Sequence, residues 1–262
     1  MLKHTYLWLP GYLRGRLRRR ARGTPIHVIF GVVDHFEPDW GRADLATQFA
    51  RVDRWALEYP ELAGRHRDAD GRPPRHTFFY PVEVYRQEVV ERLARLCRAG
   101  LGEVEIHLHH HEDTADGLRA KLEHAKHAFA QHGLLSREPG TGRVRFGFIH
   151  GNWALDNSRR DGKWCGVNNE LDVLREAGCY ADFTFPSAPD ETQPRKINSL
   201  YYATDDPARP KSHDTGRDVA VGGEADGSLL IIQGPLTLNW RRRKLGLLPR
   251  IENGELSGSN PP

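Results

Sequence analysis

The chain has 262 residues, 38% hydrophobic and 9% aromatic, with a formal net charge of +3. That is enough apolar material for a packed core in one large α/β domain or two small ones, and it excludes a disordered chain. So small a charge argues against a nucleic-acid binder, and no stretch approaches the ~20 consecutive apolar residues of a transmembrane segment.

Residues 1–23 join an aromatic, apolar stretch (Tyr6, Leu7, Trp8, Leu9, Tyr12, Leu13) to a basic run (Arg14, Arg16, Arg18, Arg19, Arg20, Arg22). The expected arrangement is an arm that packs its aromatics on the domain and leaves its arginines in solvent. The alternative is a peripheral contact with a membrane surface or a polyanion. A domain over 24–250 follows. Residues 26–33 form a near-continuous apolar run, the pattern of a strand buried on both faces of a parallel sheet, ending in Asp34-His35-Phe36-Glu37-Pro38. Residues 43–58 repeat apolar positions at helical spacing, with Pro60 closing the segment. A short second strand is expected at 76–80 and an amphipathic helix at 84–98, with Gly100 as its C-terminal cap.

The third strand is the most informative. In Val104-Glu105-Ile106-His107-Leu108-His109 the apolar and polar residues alternate, so Glu105, His107 and His109 share one face of a sheet. His110, His111, Glu112 and Asp113 follow at the strand end. Imidazoles and carboxylates gathered there suit Zn²⁺ or a similar divalent metal. Thr114 is placed to cap a helix running to about His132. A fourth strand at 144–149 ends in His150-Gly151-Asn152-Trp153, residues 168–177 read as a helix begun by an Asn168-Asn169-Glu170 cap, and a fifth strand at 181–185 stops at Pro186. Residues 199–203 and 229–232 are further strand candidates. The tail, 251–262, reads as an unfinished loop, belonging to a truncated chain or to a barrel that closes incompletely. Cys97, Cys165 and Cys179 have no CxxC spacing and read as buried small apolar residues in a reducing compartment. With no signal-like segment evident, the expected location is cytoplasmic.

Strands alternating with helices imply parallel pairing with right-handed crossovers. Polar chemistry at strand C-termini favours a distorted (β/α) barrel of about seven parallel strands over an open sheet. In Val32-Val33-Asp34-His35 and in the histidine strand the chain resembles the polysaccharide deacetylase family of the glycoside hydrolase/deacetylase superfamily. That resemblance implies a metal-dependent hydrolase removing N- or O-acyl groups from a carbohydrate, with an Asp-His-His metal triad. Carried over residue by residue, Asp34 is one implied ligand, the histidine pair is His107 with His111, His107 with His109, or His109 with a carboxylate four residues on, and Zn²⁺ is the implied metal. Asp113 is that carboxylate, His110 is expected to turn away, and His35 stands where the family has a second, catalytic aspartate. If His35 instead binds the metal, Asp34 is free as base.

His150 is the candidate general acid, Asp156 would orient it or touch substrate, and Trp153 with Asn152 would meet a sugar ring. The sequence departs from the family at Gln233, which stands near the place of a late proton-donating histidine and cannot fill that role. Two alternatives stay open. One is a glycoside hydrolase using carboxylates such as Asp34, Glu37 and Asp156. The other is a non-catalytic carbohydrate-binding relative.

Overall fold

The computed structural model describes residues 4–18 and 28–254. Ile26, His27, the basic positions Arg19, Arg20 and Arg22, and residues 255–262 lie outside the described residues. The fold is mixed α/β. Its strands, in chain order, are β1 (Val32–His35), β2 (His76–Pro81), β3 (Gly102–Leu108), β4 (Ser136–Arg137), β5 (Val144–His150), β6 (Cys179–Asp182), β7 (Leu200–Ala203), β8 (Arg217–Asp218), β9 (Leu229–Ile232), β10 (Thr237–Lys244) and β11 (Leu248–Glu252). The helices are α1 (Thr5–Arg18), α2 (Leu45–Gly64), α3 (Gln87–Arg98), α4 (Ala115–Ala130) and α5 (Glu170–Ala177).

The main sheet runs β1-β2-β3-β5-β6-β9-β7-β8, with β4 paired to β5. β1 through β6 and β9 pair in parallel except for the short β4, while β7 and β8 join antiparallel. No pairing among the described residues joins β1 to the far edge. The parallel run follows from the βα alternation, because a strand that returns through a helix can only re-enter the sheet in the same direction.

Period-two alternation sorts the two faces. Phe78, Tyr80, Val104, Ile106, Leu108, Phe146 and Phe148 form one apolar cluster with Val52 of α2, Val89, Val90 and Leu93 of α3, Leu118 and Leu122 of α4, and Leu171 and Leu174 of α5. The opposite face of the sheet carries Phe79, Glu105 and His107, as the registers Phe79↔Glu105 and Pro81↔His107 require. The caps match local chemistry. Thr114 accepts the Gly117 N–H at the start of α4, and Gly100 follows α3 at φ 76°, where a Cβ would be strained.

Four local expectations need correction. β1 begins only at Val32, and Val28, Ile29 and Phe30 are exposed, because an edge strand pairing only with β2 has no second neighbour to cover them. Pro60 lies inside α2, which continues to Gly64, so burial of Val52 and Ala63 outweighs the one missing backbone donor. β6 starts two residues earlier than expected and ends at Asp182; Thr184 then replaces ladder bonds with side-chain ones, its hydroxyl accepting the His150 N–H at 2.9 Å. Ile251 and Glu252, expected to open an unfinished loop, end β11, which pairs with β10 in an antiparallel hairpin.

α1 packs as expected from its aromatics: Trp8 and Tyr12 are buried with Ala188 and Leu236, while Arg14 and Arg16 stay exposed. No helix among the described residues is long and apolar enough to cross a membrane.

Candidate functional site

The C-terminal ends of β1, β3 and β5 meet at one edge of the sheet, and each strand places alternate residues on opposite faces. His35 pairs in register with Phe79, and Phe79 with Glu105, so His35 stands on the His107 face. There the rings of His35 and His107 are 4.5 Å apart, and those of His107 and His109 4.6 Å. Glu37 reaches over from the turn after β1. Its Oε1 lies 3.3 Å from His107 Nε2, 3.7 Å from His109 Nε2 and 3.9 Å from His35 Nδ1. One donor atom each from His35, Glu37 and His107 lies within 4.8 Å of the others.

The protonation states suit a cation. His107 Nδ1 faces the Ile149 carbonyl at 3.2 Å, and a carbonyl only accepts, so Nδ1 donates there; Nε2 faces Glu37 Oε1, and a cation seated between the two would take the place of that contact. The hydrogen bond from His107 holds the Glu37 carboxyl below its ordinary range. Packing around the ring, then the neighbouring His107, lowers the His35 pKa and keeps that imidazole neutral, although a third of the side chain remains at the surface. His109 donates from its backbone and its Nδ1 to Glu83. Burial opposes charge on that ring, but the bond and charge of Glu83 outweigh it and raise the pKa.

A cleft of about 540 Å³ is lined by His35, Glu37 and His109, by Trp40, Trp153 and Trp164, and by Asn152, Arg159 and Asp190, with His107 buried behind it. Trp40 comes from the turn after β1, and Trp153 and Trp164 from the connection between β5 and α5; each keeps a large part of its surface exposed. Trp164 is held against His111, whose Nδ1 accepts the Trp164 N–H at 3.0 Å.

On the other face of the same sheet edge lies a second, closed group. His150 is in register with Leu108 and therefore points to the helix side. There it meets His110, Cys165 and Glu170, all buried, with one donor atom each within 4.8 Å of the rest; the group can hold a metal ion. His110 Nε2 is 3.0 Å from Glu170 Oε1, Cys165 Sγ donates to Glu170 Oε2 at 3.1 Å, and the Asp156 N–H donates to the same oxygen at 2.6 Å. Burial would raise the Glu170 pKa, but the His150 and His110 imidazoles outweigh it and bring it to about 2. Burial pushes the Cys165 thiol up and His150 down to about 3.

The residues singled out from sequence therefore separate. His35, His107 and His109 come together, and Asn152 and Trp153 line the cleft beside them. Asp34 does not join them: in register with Phe78, it turns to the helix side, where Oδ1 lies 3.2 Å from His76 Nε2. One position along a strand exchanges faces, so His35 and Glu37 occupy the space toward which Asp34 was expected to point. His111 sits at the cleft rim against Trp164, not beside His107. His150 lies behind the sheet, and Glu170, not Asp156, stands next to it at 3.9 Å. Asp156 Oδ2 instead accepts the Ser212 N–H at 2.6 Å, and burial pushes Asp156 up to about 8.

His110 does turn away from His107, but into the closed group. Asp113 lies 3.1 Å from His110 Nδ1 and accepts from Lys121. Gln233 is structural, its Nε2 donating to the Lys196 carbonyl. The reading of Cys165 as an inert apolar residue, and of 168–170 as a simple cap, missed the closed group. Asn169 makes no capping bond, and the carboxylate after it is fully buried. A carboxylate inside an otherwise apolar helical stripe (Leu171, Val173, Leu174) was the available signal for Glu170.

Comparison with protein-family models, with curated proteins and with solved structures gave no match.

Proposed function

We propose that the chain is a metal-dependent hydrolase that removes acyl groups from a carbohydrate, in the manner of the polysaccharide deacetylases it resembles, on a scaffold that is a distorted relative of their barrel. One observation carries this reading: in the donor set His35, Glu37 and His107, the first two line a cleft that also carries three tryptophans, and His107 is buried directly behind them. Indole faces are apolar platforms for sugar rings, while Asn152, Arg159 and Asp190 can meet hydroxyl groups.

His35, Glu37 and His107 would hold the cation, most simply Zn²⁺ given two imidazoles and one carboxylate. Bound there, it would acidify water and polarise an acyl carbonyl. The chain's own residues do the rest. His109 stands at the cleft surface with its Nδ1 on Glu83, a carboxylate-backed imidazole whose Nε2 can take a proton from the attacking water and pass it to the leaving amine or alcohol. The Ile149 carbonyl holds the His107 ring in place. The tryptophans position the sugar ring.

The test measures metal content and acetate release from N- and O-acetylated oligosaccharides for the wild-type protein and for His107→Ala. The expected result is acetate release that falls on the order of 10²-fold or more in the variant, together with loss of metal from the cleft. Undiminished glycan binding with no acetate release by the wild type at any metal loading would favour the non-catalytic relative and overturn the hydrolase reading.

A further inference from the structure

We propose that His110, His150, Cys165 and Glu170 form a second, structural site for a thiophilic divalent cation of the Zn²⁺ class, one that fixes the loop carrying part of the tryptophan wall. The proposal is independent of the chemistry in the cleft. Two imidazoles, one thiol and one carboxylate make a four-ligand set for a tetrahedral ion, and every one of the four residues is buried, so the site has no open position for substrate. In a tetrahedral Zn²⁺ site ligand atoms stand about 3.3–3.7 Å apart. The Glu170 contacts at 3.0 and 3.1 Å, and the overall spread of up to 4.8 Å, bracket that spacing.

The state without metal leaves a polar atom stranded. His150 Nδ1 accepts the Asn152 N–H at 3.3 Å, which puts the ring proton on Nε2. That nitrogen has no hydrogen-bond partner and is fully buried, aimed at Glu170 from 3.9 Å. An orphaned donor so placed is costly and rare in a native core. A cation resolves it: the His150 proton moves to Nδ1, the long Asn152 contact opens, and Nε2 turns its lone pair on the metal. His110 is nearly prepared. Its Nδ1 stands 3.1 Å from Asp113 Oδ2, which accepts from Lys121, but is not aligned for a hydrogen bond; a small rotation of the ring would bring the carboxylate–histidine arrangement that orients metal-bound imidazoles. Binding expels the thiol proton of Cys165 and any Nε2 proton of His110 to solvent. The thiolate and the Glu170 carboxylate then balance the two positive charges, leaving a neutral buried centre.

The consequence falls on the cleft. Cys165 lies in the loop between β5 and α5, next to Trp164 and twelve residues after Trp153. That loop is tied to the end of β3 by Asp113 N–H to the Cys165 carbonyl at 2.9 Å and by Trp164 N–H to His111 Nδ1 at 3.0 Å. Gly166 crosses so close that a Cβ would come within 2.7 Å of the Asp113 nitrogen. A metal joining Cys165 to His110 and His150 clamps the loop at that crossing, and Asn152, released from His150, faces the cleft it lines.

Cobalt(II) distinguishes the two sites, because a thiolate ligand adds a charge-transfer absorption band that an imidazole–carboxylate set lacks. The metal-free full chain is loaded with Co²⁺ alone, then with Zn²⁺, and bound metal is counted in the wild type, in His107→Ala and in Cys165→Ser. The expected outcome is a thiolate band in the wild type and in His107→Ala that disappears in Cys165→Ser, with two equivalents bound by the wild type and one by each variant. A single equivalent that shows the band and ignores His107→Ala would sustain this proposal while the cleft reading fails. A wild-type protein that takes up Co²⁺ with no thiolate band overturns it, and that comparison needs no variant to fold.

Discussion

Asp182 provides a stability test that depends on no bound metal. It is fully buried at the end of β6, where it accepts the Thr184 N–H at 3.1 Å and the Thr184 hydroxyl at 2.7 Å. Burial outweighs both bonds and raises its pKa from 3.8 to about 7. Below pH 3.8 the carboxyl is protonated in folded and unfolded chains alike, and folding has no proton linkage at this group. As pH rises from there, the unfolded chain ionises first, and stability is lost until the folded carboxyl ionises near pH 7. A gap of roughly three pH units at 1.36 kcal/mol each amounts to about 4 kcal/mol. Asp182→Asn removes the ionisation and keeps a carbonyl oxygen for the Thr184 N–H. The difference in unfolding free energy between variant and wild type should therefore be near zero at pH 4 and grow in favour of the variant by several kcal/mol toward pH 8. Urea unfolding at intervals of one pH unit measures it. Parallel curves for the two proteins, or a gap that widens toward acid, would refute the burial argument.

Two further expectations concern the periphery. Trp153→Ala and Trp164→Ala should each weaken oligosaccharide binding about 5- to 10-fold, as loss of ~1 kcal/mol of ring stacking requires, while kcat with small acetyl esters is unchanged; titration calorimetry and steady-state kinetics separate the two effects. Trp8→Ala should destabilise the chain by ~3–5 kcal/mol or release α1 from Leu236 and Ala188, since that indole is fully buried between them. Limited proteolysis near residue 18 and denaturant melting would detect either result, and an unchanged digestion pattern with unchanged stability would contradict the packing.

Much of the fold was legible along the chain because each element announces itself locally. Alternation in 104–109 placed Val104, Ile106 and Leu108 under helices and Glu105 and His107 opposite them, and the core cluster takes in the first three and not the other two. Thr114 and Gly100 marked helix ends through chemistry confined to a few residues. The exposed run 28–30 misled because hydrophobicity alone does not reveal that a strand lies at an edge with one neighbour.

The candidate site divides along the same line. The sequence by itself determined that histidines gather at the end of β3 and that residues one apart on β1 face opposite ways. It could not determine which of Asp34 and His35 meets them, because that depends on the register of β1 against β2, a contact between residues more than forty positions apart. Only the tertiary structure brought Glu37 over His107, turned His150 to the helix side, and returned Cys165 and Glu170 to His110 across more than fifty residues of chain. Local periodicity fixes the direction of a side chain relative to its own strand. The groups it meets are set by how distant segments pack, and that is decided by the burial of the whole core.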